Sequence, residues 1–366
     1  MKKTILLFVF LMVLCGCQTS KQNTEQLSLT GKTVELDNNG NVDIDITNTD
    51  FLAKGFNYGD SVNVELENGY KLEDIPFLSG MYVEYGKPMV YGKASKDKVS
   101  FIQKYKSFSE NSNAEVDMTY TITLNSVGKY SYIEEVGCLS MSNDYSDFND
   151  DEVFANFRQV AVGNIKQGRL FRSSSPINDN ISRSNYVGSL ALDNNVKTML
   201  NVTDSKQDYD ELVSTLDGPS KRLVDNAVTI LASISNDYQK DKTIETLIEG
   251  FRELSNSDGP YLIYCSEGTS RVGYTMAIIE GLCGASYQEI VNDFMMSYKN
   301  LYKVDKQSEL IKYDYIKQIN IDAMLSFITG NGDLENVDYV ACTRKFLIDH
   351  GMSEDELNKF VDKLCK

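Results

Sequence analysis

The stretch Tyr261-Leu-Ile-Tyr-Cys265-Ser-Glu-Gly-Thr-Ser-Arg271-Val-Gly273 sets the frame for reading the rest of the chain. Residues 261–264 are a short apolar and aromatic run, the length and composition of a buried strand. Residues 272–283 read as a helix, stopped by Gly284. Between them lie small and polar residues, with five positions separating Cys265 from Arg271. A loop of this kind can curl so that its backbone N–H groups point inward, making an anion nest at a helix N-terminus. Cys265 then lies at the base of the nest, where the N–H dipoles and the helix end favour a thiolate. Arg271, in the first helical turn, can fold back and clamp two oxygens with its planar fork. Gly268 lets the loop turn without a side chain filling the bowl. Ser266, Glu267, Gly268, Thr269 and Ser270 are therefore the substrate-binding candidates around the Cys265 nucleophile and the Arg271 clamp. The chemistry this spacing predicts is attack of the cysteine on phosphorus, with no metal and no cofactor required.

On either side of that segment, strands and helices alternate. Residues 196–202 read as a strand, and residues 186–193 and 242–254 as helices. Ser353-Glu-Asp-Glu356 supplies an N-cap serine and first-turn acids for a last helix. Such alternation predicts an α/β domain over residues 150–366, a parallel-type sheet flanked by helices. Residues 31–142 read differently. Val42-Asp-Ile-Asp-Ile46, Ser61-Val-Asn-Val-Glu65 and Thr119-Tyr-Thr-Ile-Thr-Leu124 alternate apolar and polar, and turn signals such as Asn38-Asn-Gly40 and Asn68-Gly69 punctuate them. A small all-β sandwich or barrel is expected there, with a structural or partner-binding role. The acidic run at residues 143–152 is the candidate linker between the two.

The chain has 366 residues, 53 acidic against 36 basic, for a net charge of −17. An acidic surface of this size argues against general nucleic-acid binding, whose affinity comes from Lys and Arg neutralising phosphates. With a single histidine, His350, a zinc site with two His ligands is excluded. Lys2, Lys3 and the apolar run at residues 5–14 read as a secretion signal, too short to span a bilayer. Leu14-Cys-Gly-Cys17 resembles the lipobox of bacterial lipoproteins. That resemblance implies a signal peptide over residues 1–16 and a lipid on Cys17. A polar tether over residues 17–30, extracytoplasmic location and membrane attachment through the lipid go with it. Losing two lysines takes the mature chain from −17 to −19. The remaining cysteines have no CxxC spacing, so neither a disulfide framework nor a metal cluster is expected.

The 265–271 loop with its flanking strand and helix resembles the cysteine-based protein tyrosine phosphatases, in particular the bacterial tyrosine phosphatase-like group. Leu170-Phe-Arg172-Ser-Ser-Ser-Pro176 is similar to that group's segment packing near the phosphate loop, which implies a substrate-side role for Arg172. Residues 284–298 are similar to the helices after the loop, and Gly351-Met-Ser-Glu to the closing helix. The family loop usually reads His-Cys, then Gly-Lys-Asp-Arg-Thr-Gly. Here Tyr264 replaces the His, Thr269 the Lys, Ser270 the Asp, and Val272 the hydroxyl residue after the Arg. Each lost hydrogen bond or proton donor is worth about 10²-fold or more. In related phosphatases an acid Asp precedes the nucleophile by about thirty residues, and the resemblance puts Asp237 in that place. Asp204, at a strand's C-terminal end, is the second candidate, since ligands bind there in α/β sheets. The expectation is a phosphomonoester hydrolase acting on a phosphorylated protein or small molecule. The alternative is a pseudophosphatase that binds phosphorylated partners and turns over slowly or not at all.

Overall fold

A computed structural model describes residues 26–178 and 182–366. Its first body is a closed barrel of seven strands in the order β1-β2-β6-β5-β4-β3-β7. These are β1 (Ser28–Leu36), β2 (Val42–Ile44), β3 (Ser61–Leu66), β4 (Lys71–Leu78), β5 (Pro88–Lys93), β6 (Lys98–Gln103) and β7 (Thr119–Ser126). Every neighbouring pair is antiparallel except β4 and β5. The alternation seen in sequence turns one set of side chains inward. Val42, Val62, Val64, Phe77, Val90, Phe101 and Ile122 fill the lumen with Phe51 and Phe56, so the barrel is a packed core with no pore.

Closure depends on β1, which pairs with β7 on one side and β2 on the other. Ser28 opposes Thr123, and the Gln26 side chain donates to the Leu124 carbonyl at 2.8 Å. The strand therefore begins inside the segment expected to be tether. Residues 28–30 belong to the barrel because their backbone groups find partners on β7. The Cys17 assignment and the signal peptide lie outside the described residues.

The second body is a five-stranded sheet in the order β11-β10-β12-β9-β8. Its strands are β8 (Arg158–Gln159), β9 (Leu170–Ser173), β10 (Thr198–Asn201), β11 (Val228–Leu231) and β12 (Tyr261–Tyr264). Four are parallel and β8 runs antiparallel at the edge. Both faces are covered, as the unbroken apolar runs require. Leu170, Leu200 and Ile263 face one core, while Phe171, Met199, Leu262 and Tyr264 face the other. Helix Asp241–Asn256 buries Ile244, Leu247, Ile248, Phe251 and Leu254 on one stripe. The closing helix Glu354–Cys365 starts with the capping box of Ser353 and Glu356.

The acidic segment at 143–152 is not a free linker. The guanidinium of Arg183 donates to the Asn143 side chain at 2.9 Å and to the Ser142 carbonyl at 2.5 Å, and stands over the Phe148 and Phe154 rings. Aromatic side chains hidden among the acids dock this stretch onto the sheet domain. The two bodies also meet directly. Tyr315 donates to the Tyr82 carbonyl at 2.9 Å, Gln318 donates to Glu84 at 2.6 Å, and the rings of Tyr132 and Tyr315 stand 5.1 Å apart. Among the described residues, no helix is long and apolar enough to cross a membrane.

Candidate active site

The 265–271 loop leaves the C-terminal end of β12 and runs into helix Ser270–Leu282. Its carbonyls are turned outward by donors of the surrounding scaffold. Ser266 O accepts from the Ser175 amide at 3.1 Å, and Glu267 O from Asn156 Nδ2 at 3.1 Å. Gly268 O accepts from Arg172 Nη2 at 2.9 Å, with Asn156 Nδ2 and Ser297 Oγ each at 3.3 Å. A trans peptide holds each C=O opposite the next N–H. Three outward carbonyls therefore aim the amides of Glu267, Gly268 and Thr269 into the bowl. Among the described residues no acceptor meets these amides, nor those of Ser270 to Val272 in the helix's first turn. The result is a concave row of donors at a helix N-terminus. Gly268 has φ +74°, and a Cβ there would sit 2.4 Å from the Ser173 carbonyl oxygen.

Cys265 lies at the base of the bowl, 3% exposed. Arg271 folds back across the opening: Nη2 donates to Ser266 Oγ at 3.2 Å and Nη1 to Thr203 O at 3.5 Å. Thr203 Oγ1 in turn lies 3.2 Å from Ser266 Oγ. The helix begins at Ser270, two residues earlier than the sequence reading, which places Arg271 inside its first turn.

The two acid candidates have separate surroundings. Asp204 is half-buried at the end of β10, where Asn201 Nδ2 donates to its carboxylate at 2.9 Å. Burial raises its pKa above the usual carboxylate value, against the opposing pull of Asn201 and the charge of Arg271. Asp237, 6% exposed, faces the seam with the barrel. Its negative charge adds to the burial that raises the pKa of Tyr85 on the barrel, the Gln239 amide donates to its carboxylate at 3.3 Å, and Lys240 Nζ is 4.0 Å away. The charge of Asp237 is thus felt by the barrel tyrosines Tyr85 and Tyr105, and that of Asp204 is met by Arg271.

Residues 191–365 match the model of the tyrosine phosphatase family. Over those residues the C-terminal body is similar to the tyrosine phosphatases. No curated protein matches the chain. Among solved structures, the core catalytic domain of the PP-IP phosphatase SIW14 from S. cerevisiae is 17% identical. It is matched over 48% of this chain and 92% of its own, at a TM-score of 0.28. TpbA from P. aeruginosa is 15% identical, over 46% and 92% of the two chains, at 0.27. An uncharacterized conserved protein from Thermotoga maritima is 17% identical at 0.24, and the match spans 27% of this chain and only 36% of that protein's length. With TM-scores this low, the fold is read from the chain's own strand order.

Under the phosphatase-like domain's loop lies a buried ionic layer that the sequence reading missed. Arg172 is 1% exposed, which corrects its assignment as a substrate-binding residue. Its guanidinium pairs with Asp293 and holds the Gly268 carbonyl, so it acts from beneath. Arg158 Nε donates to Asp293 at 2.8 Å, and its Nη1 to Asn156 Oδ1 at 2.9 Å. Burial alone would raise the pKa of Asp293, but Arg158 and Arg172 overcome this and hold it below the usual range. Glu280, in the same cluster, is pushed well above the usual range by burial and by Asp293. The Glu267 side chain is engaged outside the bowl. Its carboxylate accepts from Tyr302 Oη at 2.8 Å on the helix Tyr287–Tyr302. Tyr264 packs in the core opposite that of Cys265, and its buried hydroxyl meets no hydrogen-bond partner among the described residues. One signal was available for the hidden layer. Glu280 interrupts the apolar run Met276-Ala-Ile-Ile, and a charge inside a buried helix needs a partner.

Proposed function

We propose that this protein hydrolyses phosphomonoesters through a cysteinyl-phosphate intermediate. What supports the reading most is the outward pull on three successive carbonyls, which leaves a row of unpaired amides above Cys265 with Arg271 folded across them. Such a bowl fits the three non-bridging oxygens of a phosphoryl group. The Cys265 thiolate attacks phosphorus, forming S–P while the P–O bond to the leaving group breaks. Asp204 gives its proton to the departing oxygen, since its raised pKa and its place beside Arg271 suit a donor. It then takes a proton from the water that cleaves S–P and releases inorganic phosphate. Ser266 and the amides of Glu267 to Ser270 bind the phosphoryl oxygens. Asp237 stands as the rival acid.

The lipobox adds a location: the substrate is extracytoplasmic, and the enzyme is held to the bacterial membrane by a lipid on Cys17. The alternative, a phosphate-binding pseudophosphatase, draws support from Tyr264, whose buried hydroxyl meets no hydrogen-bond partner among the described residues and so orients nothing in the loop. Phosphate release from a generic aryl phosphate by the purified protein, compared with Cys265→Ser, decides between them. Release by the wild type and background rates in the variant are expected. Phosphate binding without any turnover would establish the binding-only role.

A further inference from the structure

Beside the phosphate loop, the barrel and the phosphatase-like domain enclose a cleft of about 380 Å³. That is within the usual range for ligand sites, roughly 300–1,000 Å³. The barrel contributes Tyr82, Tyr85, Lys104 and Tyr105, and the other wall contains Tyr238 and the loop residue Ser270. An adjoining recess is lined by Ser270 and Arg271, so the cleft opens next to the clamp.

Three features describe what this space would hold. Four tyrosines line it beside Met81, Ile319 and Met324, with the Tyr85 and Tyr238 rings 5.7 Å apart across the domain seam. Asn236 and Asn320 supply carboxamides able to pair with a peptide backbone. Lys104 is the only cation in the lining. It is tied by one hydrogen bond to the Val83 carbonyl at 2.7 Å, and burial pulls its pKa down to about 8. An ammonium donates up to three hydrogen bonds, so capacity remains for an incoming anion. Glu84 and Asp237 stand near the same wall and disfavour a cluster of negative charges. One cation among tyrosines and apolar side chains suits an acidic side chain beside an apolar one, and it does not suit a polyphosphorylated ring.

We propose that this cleft is the subsite for the residues flanking the phosphorylated side chain of a protein substrate, with Lys104 reading an acidic neighbour. It rests on the phosphatase reading for the chemistry, though the recognition is separable from turnover. Tyr315 and Gln318 fix the barrel against the sheet domain beside the cleft, Tyr315 by donating to the carbonyl of the lining residue Tyr82.

The test uses two phosphotyrosyl peptides that differ only in having Glu or Lys beside the phosphotyrosine. Their Kd values are measured on the full-length Cys265→Ser protein, and kcat/KM on the wild type. The acidic peptide should be preferred about 10-fold, as for a partly desolvated charge pair. Lys104→Met should bring the ratio near one, and Lys104→Glu should invert it. Lys71→Met, on an exposed barrel position, should leave the ratio unchanged. Equal binding of both peptides, or a preference that survives Lys104→Met, would overturn the subsite even if the aryl phosphate is hydrolysed. A preference without hydrolysis would uphold the subsite and remove the catalytic reading. Displacement of the acidic peptide by an inositol polyphosphate at a tenth of that peptide's own Kd would show a polyanion site instead.

Discussion

Asp204 and Asp237 are the same residue type in the same domain, and their neighbours assign them different work. A general acid has to hold its proton at the working pH, and burial favours the neutral form of Asp204. Its folded pKa is raised, so the protonated fraction persists to higher pH than for an ordinary carboxyl. The falling alkaline limb of kcat should therefore lie above the usual carboxylate range. Asp204→Asn should remove that limb and slow alkyl or tyrosyl phosphates by about 10²–10⁴-fold, while barely affecting a substrate whose leaving group is already a stable anion. Steady-state rates on the two substrate types check this. Equal slowing of both would mean that Asp204 is structural, and the same comparison on Asp237→Asn then becomes decisive.

At the scale of elements, the loop is shaped from below and from outside. Asp293→Asn would leave Arg158 and Arg172 buried without their counter-charge. Breaking one partner of such a pair costs about 3–5 kcal/mol, and a denaturant midpoint should register the loss. Gly268→Ala should be severe in another way. Its left-handed backbone and the 2.4 Å approach to Ser173 would force the loop to open. Phosphate affinity should fall at least 10-fold, measured by equilibrium binding. The loop itself was legible in sequence, because strand β12, Cys265, Gly268 and Arg271 are contiguous and their spacing is local. Helix Asp241–Asn256 was likewise announced by its apolar stripe. The supporting layer was not, since Asn156, Arg158, Asp293 and Ser297 come from distant elements and meet only when the sheet assembles. The start of strand β1 was hidden for a related reason. Residues 28–30 read as tether, and only pairing with β7 makes them part of a strand.

Across the whole molecule, the lipid reading predicts that Cys17→Ala releases the protein from membranes into the soluble fraction. Unchanged sedimentation with membranes would refute it. The barrel adds a mechanical consequence. Its chain enters at Gln26 and leaves after β7, and because β1 and β7 are antiparallel, entry and exit lie side by side at one end of the pair. A force drawn between the entry and the sheet domain would thus load the hydrogen bonds between Ser28 and Thr123 first, then the next rung, one after another. That is an unzipping geometry, which yields at lower force than sliding two strands past each other. Under tension the barrel would peel from β1 inward, and the exit side, where Tyr132 and Tyr315 join the two bodies, would not be the first place to part.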